Sequence, residues 1–327
     1  MNIDVTSLFR RQLINLGDQN KFNLEGIYSP IYDQKEVELF MSSYYETEEG
    51  VQSQVKKIDL TDYYFDLISE AIQKVNEIPL SPACILELGC GFGNATIPLL
   101  KLFPQADVIA SEFSLSMLQA LKIILTGENL DRKCTYLQLN AEDLDFHDNS
   151  FDMIVGAAIL HHLFEPNTVI EQSARILREG GIALFFEPFE NGTGILGLIY
   201  KSIINDKRFK KLKRNEKLYF KNCVNTWQNM KNDDKDAPFF KGIDDKWLFT
   251  RDYFSEFADQ YGFRKYIIYP VDKSNRPFEN LISSHLNGNN MIKMPSWIWE
   301  IVDEFENFFS DRLKRDLLTE GCILLIK

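Results

Sequence analysis

The sequence is poor in the features that would mark a secreted, membrane-spanning or nucleic-acid-binding chain. Histidine occurs only as His147, His161, His162 and His285, and no His/Cys/Asp grouping has metal-ligand spacing, so no metal is expected. The five cysteines, Cys84, Cys90, Cys134, Cys223 and Cys322, are odd in number and include no C-x-x-C pair. Cys84, Cys134 and Cys322 lie in apolar, strand-like runs, which fits buried reduced thiols in a cytoplasmic protein. An excess of positive charge is also missing. The formal net charge is -12, which argues against a nucleic-acid partner, because backbone contacts need clustered Lys and Arg. Residues 1–12 hold no apolar core, so a secretory signal is not expected. The longest uncharged apolar run, 153–160, is far below the ~18 residues of a spanning helix, so stable membrane insertion is not expected either. Internal repeats and low-complexity tracts are absent.

What is present suits a globular protein. Apolar residues make up 45% of the chain, enough for an ordinary core. At 327 residues the chain is one large domain or two small ones. Its organising stretch is 85–96. The apolar run Cys84, Ile85, Leu86 enters like a buried strand, and Gly89, Gly91 and Gly93 follow at alternate positions. A helical pattern then carries Ile97, Leu99, Leu100 and Leu102 inward. Strand, glycine turn and helix open a nucleotide-binding βαβ unit. The spacing departs from the dinucleotide fingerprint G-x-G-x-x-G, whose last glycine would fall on Asn94. Glu87, just before the turn, would repel a phosphate, whereas it suits an ammonium group, reached directly or through water. NAD is therefore disfavoured.

An acidic residue followed by x-G-x-G-x-G resembles the first motif of the class I S-adenosylmethionine-dependent methyltransferases, and residues 87–93 match it in full. Further stretches resemble that family in order. A second short strand from Asp107 ends at Glu112, placed to accept from ribose hydroxyls, with Phe113 flanking the adenine. Asn140-Ala141 stands where the family usually has Asp-Ala; the amide oxygen of Asn140 can still accept. Residues 149–163 resemble the fourth motif, and 177–181 the Leu-x-x-Gly-Gly turn before strand five. The resemblance covers about a third of the chain. It implies S-adenosylmethionine as cofactor, held by Glu87, Gly89, Cys90, Gly91, Gly93, Glu112, Phe113, Met117, Asn140, Ala141, Glu142, Gly156 and Ala157.

The implied fold is α/β: a Rossmann-like, doubly wound, seven-stranded, mostly parallel sheet with an antiparallel last strand and a helical cap. Residues 1–80 read as an N-terminal helical segment or lid, with helices at 37–45 and 63–75. Tyr44 and Tyr45 are candidates to line the transfer site, or surface aromatics anchoring a helix. Residues 81–191 form the core and 192–246 a cap insertion. The remainder, 247–327, holds the last helix and strands six and seven around a helical insertion at about 271–318. The helix in it opens on an N-cap at Thr250 and closes at Gly262. The basic stretch 206–217 reads as a solvated face on a cap helix, because its charges gather at one end rather than along one face; the alternative is an amphipathic helix that touches a membrane or an anionic substrate. The stripe of Ile298, Ile301, Val302, Phe305, Phe308, Phe309 and Leu313 falls at helical spacing and reads as cap packing.

Methyl transfer requires donor and acceptor to be held in line, with water excluded, and no fixed catalytic residue. His162, His161 and Glu187 are the candidates for proton transfer, although each histidine can equally be a helix N-terminal residue satisfied by backbone. The expected partner is a small, largely apolar acceptor or a peptide, with self-association as a homodimer left open. Tyr219, Phe220, Trp227, Phe239, Phe240, Trp297 and Trp299 are candidates to wall an apolar acceptor pocket.

Overall fold

A computed structural model describes residues 4–19, 24–30, 60–75 and 82–327, the last range without 233, 236, 238, 241–243, 290 and 292. The helix expected at 37–45, with Tyr44 and Tyr45, lies outside the described residues. The centre is a nine-stranded sheet. Its strands are β1 (Leu13–Asn15), β2 (Ile27–Pro30), β3 (Cys84–Leu88), β4 (Asp107–Glu112), β5 (Cys134–Gln138), β6 (Phe151–Ala157), β7 (Leu177–Pro188), β8 (Lys265–Pro270) and β9 (Glu320–Ile326). They run in the order β1-β2-β5-β4-β3-β6-β7-β9-β8. Strands β3 to β7 pair in parallel, and β9 inserts antiparallel between β7 and β8. This is the mostly parallel, doubly wound sheet with an antiparallel last strand.

Two strands were not foreseen. β2 pairs in parallel with β5, and β1 pairs antiparallel with β2, so the N-terminal segment extends the sheet instead of being helical throughout. The turn expected before strand five is a bulge inside β7: the register against β6 slips between Phe151 and Met153, and Gly180 takes φ 78° there.

Side chains alternate across the sheet, so each strand feeds two layers. On one face Ile85, Val108 and Ala110 pack under α1 (Thr61–Lys74), α2 (Thr96–Leu102) and α3 (Leu115–Gly127). On the other, Leu86, Leu88 and Ile154 meet α4 (Pro166–Ile176) and α7 (Arg251–Gln260). Each fully buried Leu or Ile contributes about 1.5–3 kcal/mol over exposure, so these alternating runs dictate which face each strand presents. Local signals agree with the elements. Ser114 caps α3 by accepting from the Met117 amide, and Thr250 caps α7 by accepting from the Tyr253 amide. Gly262, at φ 78°, follows the end of α7.

The stretches after β7 and after β8 build a separate helical layer. α5 (Glu190–Asn205) and α6 (Arg214–Met230) come from the first, α8 (Pro277–Gly288), α9 (Ser296–Phe308) and α10 (Asp311–Leu317) from the second. Ile199, Tyr200, Phe220, Phe278, Ile282, Ile298 and Val302 share one apolar cluster across α5, α6, α8 and α9. The apolar stripe expected as one feature is broken after α9, where Ser310 caps α10 by accepting from the Leu313 amide. The break turns Phe308 out to 82% exposure, whereas Ile298 and Val302 stay fully buried. The basic stretch is structural in part: Arg208 pairs with Asp206 and Glu300 and lies 5.0 Å over the Trp297 ring. Among the described residues no helix is long and apolar enough to cross a membrane.

Candidate active site

The carboxyl ends of β3 to β7 define one edge, and the chain reverses its direction of winding at β3, which pairs with β4 on one side and β6 on the other. Open α/β sheets bind ligands at such a point. The glycine turn leaves β3 there. Gly89, Gly91 and Gly93 have φ of 66°, 51° and 95°, a region that costs other residues strain. The three are not equivalent. A Cβ on Gly89 would lie 2.6 Å from Ile159 Cδ1, and one on Gly93 2.5 Å from Leu121 Cδ1, whereas one on Gly91 meets nothing within 4 Å. Gly89 and Gly93 are therefore close-packing positions, and Gly91 opens onto free space.

Glu112, at the end of β4, turns toward this loop. Its Oε2 accepts from the Gly91 amide at 3.2 Å and its Oε1 from the Ser114 amide at 3.0 Å. Phe113 and Met117 beside it are half-buried. The Phe113 carbonyl accepts from Gln138 Nε2 at 3.1 Å, and Gln138 Oε1 accepts from Ser29 Oγ at 2.9 Å. Gln138 was not singled out from sequence, and the tie it makes to β2 had no sequence signal. Asn140 Oδ1 accepts from the Glu142 amide at 3.0 Å, shaping the turn that holds the buried Ala141.

Glu87 does not stand open to the ammonium group that the sequence suited it to meet. It is 1% exposed, beneath the loop, and its Oε2 accepts from Thr96 Oγ1 at 2.6 Å. Burial pushes its carboxyl up to about 8, against the lowering bond from Thr96 and with help from the Glu112 charge. Cys90 is also buried, which raises its thiol well above the usual range. Gly156 is a packing position: a Cβ there would lie 2.7 Å from Phe185 and 2.8 Å from Ile159. Ile159, which sequence did not flag, thus plugs against both Gly89 and Gly156.

The turn after β6 carries the histidines. Ala158 takes φ 57°, uncommon for a residue with a Cβ, and exposes itself beyond Ala157. Glu187, at the end of β7 and 2% exposed, gathers this turn. It accepts from the amides of Ile159 at 3.0 Å, Leu160 at 2.8 Å and His161 at 3.3 Å, and pairs with His161 Nδ1 at 2.6 Å. Burial alone would lower the His161 pKa, but the Glu187 charge and bonds to Asp245 and Glu187 raise it to about 10. The Glu187 and Asp245 carboxylates thus favour the protonated ring of His161 near neutrality. Burial and the His161 charge push His162 down instead, leaving it neutral. Asp245 was missed from sequence. The segment around it is strapped to the histidine turn: the Lys246 and Trp247 amides donate to the His161 carbonyl at 2.7 and 3.2 Å, and Trp247 Nε1 donates to the Leu163 carbonyl at 2.9 Å.

A cavity of about 810 Å³ lies between this edge and the helical layer. His161, Glu187, Tyr63 and Tyr64 line it from the sheet side, and Trp227, Leu281 and His285 from the cap. Of the aromatics expected to wall it only Trp227 does so; Phe220 and Trp297 are spent on the cap's own core. His162 is not among the lining residues.

A glycine turn with an open central position, an acid from the neighbouring strand bonded to it, and a switch point between them define a Rossmann-like site for a nucleoside-bearing cofactor. The family model described as a methyltransferase domain matches residues 85–181. Those residues are a methyltransferase domain of the class that uses S-adenosylmethionine. The chain is 29% identical over 110 residues to a demethylmenaquinone methyltransferase of Porphyromonas gingivalis, covering 33% of this chain and 45% of the other. It is 35% identical over 116 residues to a tRNA N(3)-methylcytidine methyltransferase of Drosophila melanogaster, covering 32% and 34%. The chain thus spans less than half the length of these relatives. In fold it is similar to a phosphoethanolamine N-methyltransferase of Haemonchus contortus, with a TM-score of 0.50 at 15% identity, over 92% of this chain and 62% of that one.

Proposed function

We propose that the chain transfers a methyl group from S-adenosylmethionine to an O, N or C atom of a small, largely apolar acceptor held in the cavity under the cap. The open space at Gly91, with the Glu112 carboxylate bonded to its amide, carries the reading. Residues at the loop fit the cofactor: bare backbone at Gly89 and Gly91 for its amino-acid end, Glu112 for the ribose, and Phe113, Asn140 and Ala141 for the adenine. When bound, S-adenosylmethionine supplies an electrophilic methyl on a sulfonium.

The chain's own part is placement and exclusion of water. Ile159 packs the histidine turn against Gly89 and Gly156, so the cofactor edge and the cavity edge share one rigid piece. The cavity volume falls in the range of small-molecule sites, about 300–1,000 Å³. Glu187 keeps the turn in shape and His161 presents its ring to the cavity. His162, though neutral, does not line the cavity, so no proton transfer is assigned to it. The relatives' names span a quinone and a tRNA, so they speak for the donor and not for the acceptor. A net charge of -12 is unsuited to a nucleic-acid backbone.

The experiment is transfer of labelled methyl from S-adenosylmethionine to a panel of quinols, phenols, amines and short peptides. Turnover of a small acceptor supports the reading. Labelling of peptides alone would move it to a peptide methyltransferase, and binding of S-adenosylmethionine without turnover of any acceptor would leave a cofactor-binding partner protein.

A further inference from the structure

His161, His162 and Asp245 stand together in a way that methyl transfer by placement alone does not need. Their ligand atoms lie within 4.8 Å of one another. His161 Nε2 is 3.5 Å from Asp245 Oδ1, and His162 Nδ1 is 3.4 Å from the same oxygen. These separations exceed the usual N–H···O range of about 2.7–3.2 Å. They match two ligands of one tetrahedral zinc ion: nitrogen at about 2.0–2.1 Å and oxygen at about 2.0–2.2 Å, held at the tetrahedral angle, sit roughly 3.3–3.5 Å apart.

Independent features point the same way. His162 Nδ1 is buried and makes no hydrogen bond. Glu187 engages His161 Nδ1 at 2.6 Å, which turns Nε2 toward Asp245, where a bound cation would take the place of the Nε2 proton. A carboxylate on the far nitrogen of a histidine is the arrangement that orients metal-binding imidazoles. The Lys246 ammonium is drawn off to the carbonyls of His162 and Asp244 at 2.8 and 3.2 Å, so it does not occupy the gap. His161 and Asp245 both line the cavity, so a fourth position would open into it.

We infer that His161, His162 and Asp245 bind a divalent cation of the zinc class, with Glu187 orienting His161 and an open position facing the cavity. Three protein ligands with one free site is the pattern of a metal that binds a second molecule. If the methyl-transfer reading holds, that second molecule is an acceptor offering oxygen or nitrogen; the metal site itself does not depend on it.

Cobalt(II) tests the site in the full chain after dialysis against a chelator. The expected result is intense visible absorption of tetrahedral cobalt, saturating near roughly one equivalent per chain and displaced by zinc. His162→Ala and Asp245→Asn, at side chains 38% and 60% exposed, should each lose that spectrum while the far-ultraviolet circular dichroism is unchanged. Glu187→Gln should weaken zinc by about 10–100-fold. A wild-type chain without these bands overturns the inference. So does a spectrum that persists in Asp245→Asn, the variant least able to disturb folding.

Discussion

Replacing Gly91 and Gly89 in turn by alanine separates binding from folding at the glycine turn. Both have left-handed backbones, at φ 51° and 66°, so either alanine costs about 1–2 kcal/mol of backbone strain. There the similarity ends. The new methyl at Gly91 meets nothing within 4 Å, so the strain is the whole folding cost. At Gly89 the methyl lies 2.6 Å from Ile159 Cδ1, and overpacking of that kind adds about 1–3 kcal/mol. Against a total stability of about 5–15 kcal/mol, Gly91→Ala should fold and Gly89→Ala should be clearly weakened, by about 2–5 kcal/mol in all. The order reverses in specificity. Gly91→Ala puts its methyl into the space assigned to the cofactor and should lose at least tenfold in S-adenosylmethionine affinity, about 1.4 kcal/mol, from a folded protein. Denaturant titration reads the first quantity and calorimetry the second. A Gly91→Ala variant that binds like wild type would refute the assignment of that space. Equal stability of the two variants would refute the packing argument.

Other substitutions probe the neighbouring groups. Glu112→Ala should weaken S-adenosylmethionine by roughly 2–3 kcal/mol, since bonds to a charged group are worth about 1.5–3 each; unchanged calorimetric affinity would remove it from the ribose role. Glu87 has a raised carboxyl, so its contribution to folding is complete below its ordinary value of 4.5 and is lost as the pH rises through about 8. Denaturant midpoints across that window should therefore flatten in Glu87→Gln, and an identical slope in both proteins would contradict the burial argument. Ser284, exposed on the cavity wall, offers a way to fill the acceptor space: Ser284→Trp should leave S-adenosylmethionine binding within about threefold and abolish transfer to the acceptor. Full turnover in that variant would place the acceptor elsewhere.

Much of the core could be read in advance because its physics is local. A turn at positive φ needs glycine, and buried parallel strands need short apolar runs, so Gly89 to Gly93 and the strands ending at Glu112 and Glu187 stand out without any structure. The order of motifs then dictated the winding. Strands β1 and β2 did not stand out: Leu13–Asn15 and Ile27–Pro30 are too short for an alternating pattern to rise above chance. Asp245 carried no signal, because a backbone strap from Lys246 and Trp247 to His161 brings it to the histidines from far along the chain. Periodicity told that residues 296–313 are apolar on one side but not that Ser310 would restart the helix and turn Phe308 outward. The cap aromatics illustrate the same gap, since composition gives apolar area and not its direction. Their shared cluster also changes how the cap can be tested. Removing residues 271–318 would strip Phe278, Ile282, Ile298 and Val302 from α5 and α6 and leave a bare apolar face.

The most direct measurement is a calorimetric competition on the full chain with S-adenosylmethionine, S-adenosylhomocysteine and NAD. The match of residues 85–181 to a methyltransferase domain, with Glu112 bonded to the glycine turn, predicts saturable binding of the first two, each displacing the other, and no displacement by NAD. Equal or tighter binding of NAD would contradict the central claim.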